Sequence, residues 1–269
     1  MHGPKAILNA TILAAMFCCV AASSNAAETI RVYAAGSTRK AFTEAAQVFT
    51  GKEGTSVEVT YGASGLLLDR LRGGEPADVF ASADMPKAQA LHDAGLSAPP
   101  VPFARSRLCV VTRNELAVTS ETLLTVIRNP KVKILAPAPE VDATGYYVWE
   151  LYKRAEAVRP GSYRRLDAKT VRLDLKKLAP IPAGRSALAV FFERHMADLF
   201  FAYCNSAALA IAEAPTLKIT EIPAELSVPV QYGVTLLNQG NHKPGQLFID
   251  FLRSREGQSI LAKWGFSSP

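Results

Sequence analysis

Residues 30–94 read IRVYAAGSTRKAFTEAAQVFTGKEGTSVEVTYGASGLLLDRLRGGEPADVFASADMPKAQALHDA. Three short apolar runs, Ile30–Ala34, Val57–Tyr61 and Val79–Ala81, read as strands. A segment of helical spacing follows each. Arg39–Thr50 puts Phe42, Ala46 and Phe49 on one face. Ser64–Arg72 turns Leu67, Leu68 and Leu71 inward and ends at Gly73-Gly74. Pro86–Ala94 starts on a proline, whose missing N–H has no partner to lose at a first helical turn. The alternation is βαβαβα, which predicts a mostly parallel sheet covered by helices.

Further along, Leu108–Thr112 is a β-branched strand, and Ser120–Arg128 reads as a helix capped by Ser120. Lys133–Leu135 and Leu199–Ala202 read as strands, as does Val230–Leu236; Lys169–Leu175 alternates weakly. Thr144–Ala155, Ser186–Arg194, Pro244–Arg253 and Gln258–Lys263 read as helices. Arg159–Gly184 has no regular pattern. If Leu108–Thr112 and Val230–Leu236 are the strands that cross between lobes, residues 27–106 plus 232–269 form one lobe and 107–231 the other. The fold class expected is therefore α/β and two-lobed. Each lobe is a mixed, mostly parallel sheet flanked by helices, with a ligand cleft between the lobes and a hinge to close it.

Met1–Ala27 has the three parts of a secretory signal: Lys5, the apolar run Ala6–Val20, and a small-residue stretch with Ser24-Asn25-Ala26. The run falls short of the roughly 20 residues a membrane span needs. Cleavage near Ala26 or Ala27 would leave about 240 residues outside the cytoplasm. Cys109 and Cys204 remain, and both a disulfide and a pair of free thiols fit the sequence. The net charge of +6 raises local anion concentration without naming a partner. Much of it lies in Lys153–Lys177, with nine basic residues against three acidic ones, either a solvated face or a docking surface. Nothing in the chain suggests nucleic acid.

In open α/β sheets, ligands bind beyond the carboxyl ends of the strands. The turns there are Ala34-Ala35-Gly36-Ser37, Tyr61-Gly62-Ala63-Ser64-Gly65, Asp142-Ala143-Thr144-Gly145 and Tyr203-Cys204-Asn205-Ser206. Small residues let an anion approach the unpaired N–H groups of a helix start, and a hydroxyl adds a donor. Six charge-assisted bonds at roughly 1.5–3 kcal/mol each give about 9–18 kcal/mol gross. Association costs at least about 4 kcal/mol, so micromolar or tighter capture is within reach.

Three stretches carry a resemblance: Val32-Tyr33-Ala34-Ala35-Gly36-Ser37, Tyr61-Gly62-Ala63-Ser64-Gly65 and Gly74-Glu75-Pro76-Ala77-Asp78-Val79-Phe80-Ala81-Ser82-Ala83-Asp84. With Tyr232-Gly233-Val234 and Ala262-Lys263-Trp264-Gly265-Phe266, they make the chain resemble the periplasmic molybdate-binding proteins of ABC importers, of type II periplasmic binding-protein fold. The resemblance implies an oxyanion, molybdate and with it tungstate, held without a cofactor or a direct cation site. It implies hydroxyl donors at Ser37 and Ser64, a backbone amide at or beside Thr144, the hydroxyl of Tyr203, and a backbone contact near Arg185. It also implies a monomer that works with a membrane permease and an ATPase; a periplasmic sensor subunit is the other role such a fold serves. The chain departs from the family at Ala143-Thr144, at Gly184-Arg185-Ser186 and at Cys204-Asn205-Ser206. An Arg185 directed into the cleft would favour a carboxylate or a larger oxyanion, and one directed outward would not.

An enzyme is not expected. His92, His195 and His242 belong to no triad motif, and no Cys/His cluster has metal-ligand spacing. Asp78 and Asp84 are expected to cap and brace the turn after the third strand.

Overall fold

A computed structural model describes residues 28–182 and 184–269. The secretory signal expected over Met1–Ala27 lies outside the described residues. Five strands of the first sheet are β1 (Thr29–Ala35), β2 (Ser56–Gly62), β3 (Val79–Ser82), β4 (Val101–Ser106) and β10 (Val230–Leu236), in the order β2-β1-β3-β10-β4. The second sheet has β5 (Leu108–Arg113), β6 (Ile134–Pro137), β7 (Val171–Leu173), β8 (Leu199–Tyr203) and β9 (Leu217–Glu221), in the order β7-β6-β8-β5-β9. Helices α1 (Arg39–Glu53), α2 (Ser64–Arg72), α3 (Met85–Asp93), α9 (His242–Arg253) and α10 (Arg255–Lys263) go with the first sheet. The second has α4 (Leu123–Arg128), α5 (Ala143–Val158), α6 (Ser162–Lys169), α7 (Ala187–Glu193) and α8 (Cys204–Glu213). This is the two-lobed α/β architecture expected.

Both sheets are mixed in the same way. In the first, β1 pairs parallel with β2 and β3, and β10 pairs antiparallel with β3 and β4. In the second, β6 pairs parallel with β7 and β8, and β5 pairs antiparallel with β8 and β9. In each sheet the first strand after the chain arrives from the other lobe is an antiparallel one. The parallel share is half rather than most. The crossings differ from expectation too. Neither β5 nor β10 spans the lobes. Arg107 joins β4 to β5, and residues 222–229 carry the chain from β9 back to β10, which joins the first sheet from Val230.

Burial follows from the sequence pattern. Phe42 and Phe49 of α1 stack on Phe248 of α9, and Phe42 also meets Phe103 of β4. Each of these rings is at most 1 % exposed. Fully burying such a ring stabilises by about 1.5–3 kcal/mol, so this cluster anchors the C-terminal helices to the N-terminal lobe. Asp84 caps α3 by accepting from the N–H of Lys87 at 2.8 Å, as expected. Asp78 sits before β3 rather than after it. There it accepts from the N–H groups of Arg31 (2.5 Å) and Asn241 (2.6 Å), tying β1 and α9 to the strand's entrance. Helix α4 starts at Leu123 behind Thr122, not at Ser120.

Much of the basic stretch 153–177 lies on α5 and α6, partly neutralised by Lys153–Glu150, Arg172–Asp167 and Lys177–Asp174 pairs. Cys109 of β5 and Cys204 at the start of α8 form a disulfide, Cα atoms 5.0 Å apart. Among the described residues no helix is long and apolar enough to cross a membrane.

Candidate functional site

A pocket of about 200 Å³ lies where the carboxyl ends of β1, β2, β3 and β8 converge with the start of α5. The first lobe contributes Ala35-Gly36-Ser37, Gly62-Ala63-Ser64 and Ala83. The second contributes Asp142, Thr144, Leu175 and Tyr203. That volume is below the range of roughly 300–1,000 Å³ usual for organic ligands, and suits a small ion. A larger open depression of about 580 Å³ lies on the flank of the first lobe, between α1 and β2. It is lined by one lobe only and carries no charged side chain, so the interlobe pocket is the candidate site.

The hydroxyls are prepared as donors. Ser64 is 1 % exposed, and its Oγ accepts the N–H of Ala83 at 3.1 Å, which leaves the hydroxyl proton for a ligand. Ser37 shares a 2.9 Å hydrogen bond with the hydroxyl of Tyr232. Burial holds the Tyr232 phenol well above the ordinary tyrosine range, so it stays protonated. With that phenol donating, Ser37 also keeps its proton for the pocket. Tyr203 is 5 % exposed, and its hydroxyl is buried with no partner among the described residues. Burial, with the nearby Asp142 acting in the same sense, drives its pKa far up, so the group is a neutral donor. A buried hydroxyl left without a bond costs about 1–3 kcal/mol; a ligand oxygen would supply the bond. Its ring is held edge-on by Tyr147 and tilted against Tyr232.

The lobes touch across the pocket. The N–H of Gly65 donates to the carbonyl of Val141 at 3.0 Å, Nζ of Lys87 donates to the Pro139 carbonyl at 2.9 Å, and Asn205 Nδ2 donates to the Ser37 carbonyl at 3.4 Å. Gly65 is required by this approach, since a Cβ there would meet the Glu140 carbonyl oxygen at 2.0 Å.

Two expectations are corrected. Arg185 is not at the pocket. Its guanidinium is claimed by Glu213 and by Glu193 (2.5 Å for the latter), and its own N–H goes to the Pro182 carbonyl at 3.1 Å. The neighbouring Ser186 N–H is taken by Glu213 at 2.6 Å. Leu175 lines the pocket instead. The amide expected at or beside Thr144 is narrowed: Thr144 lines the pocket, but Asp142 caps α5 by accepting the Thr144 N–H at 2.7 Å, which leaves only an amide beside it for a ligand. Asp142 lines the pocket and was not among the expected site residues. It stood in one of the four quoted turns, but only its neighbours' small size and hydroxyl were weighed. Burial raises its pKa against the opposing pull of the Thr144 bonds and of Lys87.

Two α/β lobes with a hydroxyl-lined pocket between them are the arrangement of a solute-binding protein. Residues 30–267 match the model of the bacterial extracellular solute-binding protein family, and the chain belongs to that family. It is 30% identical over 205 residues to the uncharacterized protein PM1146 of Pasteurella multocida (76% of this chain, 85% of that one). It is 26% identical over 249 residues to the molybdate-binding protein ModA of Escherichia coli, with 88% of each chain covered. Among solved structures, the sulfate-binding protein SubI of Mycobacterium tuberculosis superposes with a TM-score of 0.74 at 19% identity, covering 90% of this chain and 87% of that one.

Proposed function

We propose that this protein is the periplasmic substrate-binding component of an ABC importer, and that it captures a tetrahedral oxyanion, molybdate and with it tungstate, between its lobes. The observation that carries the reading is the buried, unpartnered hydroxyl of Tyr203 in a pocket that Ser37 and Ser64 face from the other lobe. Three hydroxyls from two lobes make the ligand itself a bridge, so binding and closure stabilise each other. The likeness to the Escherichia coli molybdate-binding protein over most of both chains supports this choice of ligand. The pairing of Arg185 with Glu193 and Glu213 removes the motive for a carboxylate ligand. Cargo release to a permease and ATPase follows from the importer role, and the protein needs no cofactor for it.

A thermal-shift screen of the mature protein against molybdate, tungstate, sulfate, phosphate, chromate and small carboxylates tests the reading. A ligand at a hundred-fold excess over its Kd stabilises by about 2.7 kcal/mol. Large shifts with molybdate and tungstate, and small ones with sulfate, are expected, because fixed donors fit one anion radius. Shifts with carboxylates alone would refute the proposal.

A further inference from the structure

The pocket lining holds one charged side chain, and it has the wrong sign for an anion site. Asp142 stands at the N-terminus of α5, where a bound anion would otherwise take the Thr144 N–H, and its Oδ1 already accepts that bond at 2.7 Å. The nearest cation offsets it only in part. Lys87 Nζ is held by Asp84 Oδ2 at 2.8 Å and by the Pro139 carbonyl, so the Lys87–Asp84 pair is internally neutral. The other groups facing Asp142 are Tyr203 from β8 and Tyr232 from β10, both neutral phenols. A fully ionised oxyanion entering this pocket therefore meets a carboxylate that is only partly compensated.

We propose that Asp142 makes oxyanion capture proton-linked, so that the bound anion and Asp142 together hold one proton more than two fully ionised groups would. A fully ionised anion binds as Asp142 takes one proton from solvent, and the neutral carboxyl then donates its O–H to a ligand oxygen. A hydrogen oxyanion brings the proton itself and donates it to the Asp142 carboxylate. No other group changes charge in either case. The proposal rests on the oxyanion reading above and adds a specificity residue to it. Burial, which already lifts the Asp142 carboxyl above its ordinary range, acts in the same direction.

The consequence has a definite sign. Where free Asp142 is ionised, binding a fully ionised anion takes up one proton, so Kd rises about tenfold per pH unit. Calorimetry of molybdate binding between pH 6 and 8.5, in buffers of different ionisation enthalpy, reads both the slope and the proton count. Wild-type protein is expected to show a tenfold slope and uptake of one proton. Asp142→Asn keeps an N-cap side chain of the same shape; it is expected to bind with no slope and no uptake, and more tightly than wild type at pH 8. Asp142→Ser, also a good cap, serves as the second variant and is expected to lose the slope too. A flat wild-type profile without proton uptake overturns the role of Asp142 while leaving the oxyanion reading intact, and so does a slope retained in both variants. Absence of binding by molybdate, tungstate and sulfate to wild type and variants at every pH overturns the oxyanion reading, and this proposal with it.

Discussion

Gly65→Ala places one methyl group into the contact that brings the lobes together. The ideal Cβ falls 2.0 Å from the carbonyl oxygen of Glu140 and 2.5 Å from that of Val141, both backbone atoms of the opposite lobe. An ordinary carbon–oxygen contact is longer by more than 1 Å, so the lobes must separate by about that much at this edge. The 3.0 Å bond from the Gly65 N–H to Val141 is stretched in the same movement. Overpacking of this kind costs about 1–3 kcal/mol. If the ligand binds only when the lobes meet, the cost appears in full as a loss of affinity, about 5- to 150-fold. Calorimetry with molybdate measures it. Gly51→Ala is the control: it lies in α1, no atom lies within 4 Å of its added Cβ, and it should leave Kd unchanged. A Gly65→Ala protein that binds as tightly as the parent would refute the claim that this contact belongs to the binding-competent state.

Tyr203→Phe removes a hydroxyl that is buried and has no partner among the described residues. The variant should therefore melt no lower than wild type when empty, yet lose about 1.5–3 kcal/mol of ligand binding; a lower Tm with unchanged Kd would reverse that assignment. The Cys109–Cys204 disulfide closes a loop of 95 residues, for which chain entropy allows up to about 4.7 kcal/mol. Reduction should lower stability by a measurable part of that in denaturant titration, and an unchanged midpoint would count against the bond.

The legible part of this fold is its first half. Val32–Ser37 and Val79–Asp84 each announce a buried strand and the turn after it, because strand residues buried on both faces are apolar without interruption, while the half-buried edge strand β2 shows through its alternation and the turn Tyr61–Gly65. Segments that make few apolar contacts were hidden. β4 carries Pro102 and lies at a sheet edge, where a missing N–H does no harm, and no strand was expected there. Only Ser162 and Leu166 of α6 are buried, and only Ala207 and Ala210 of α8, too few positions to show a helical period. The lobe crossings were misplaced because a long β-branched strand looks the same whether it ends in one lobe or spans two.

At the site, the hydroxyls were legible and the charges were not. Ser37, Ser64 and Tyr203 stand at strand ends and are the donors the family resemblance implies, and the structure gathers all three at one pocket. The fate of Arg185 depends on Glu193 and Glu213, which α7 and α8 bring to it from 8 and 28 residues away. The exposure of Asp142 to the ligand depends on Asp84, in the other lobe, claiming Lys87. Neither pairing has a local signature in the sequence.

The central claim is that hydroxyls from both lobes hold a single oxyanion, and calorimetry of molybdate binding at pH 6 to wild type and to the Ser37→Ala/Ser64→Ala double variant tests it most directly. Wild type is predicted to take up one molybdate per chain with micromolar or tighter Kd. The double variant, short of two charge-assisted bonds of about 1.5–3 kcal/mol each, is predicted to bind at least a hundred-fold more weakly, and its empty form to melt lower because the Ala83 N–H and the Tyr232 hydroxyl lose their partners. Equal affinity in the two proteins, or no heat of binding in wild type, would contradict the account.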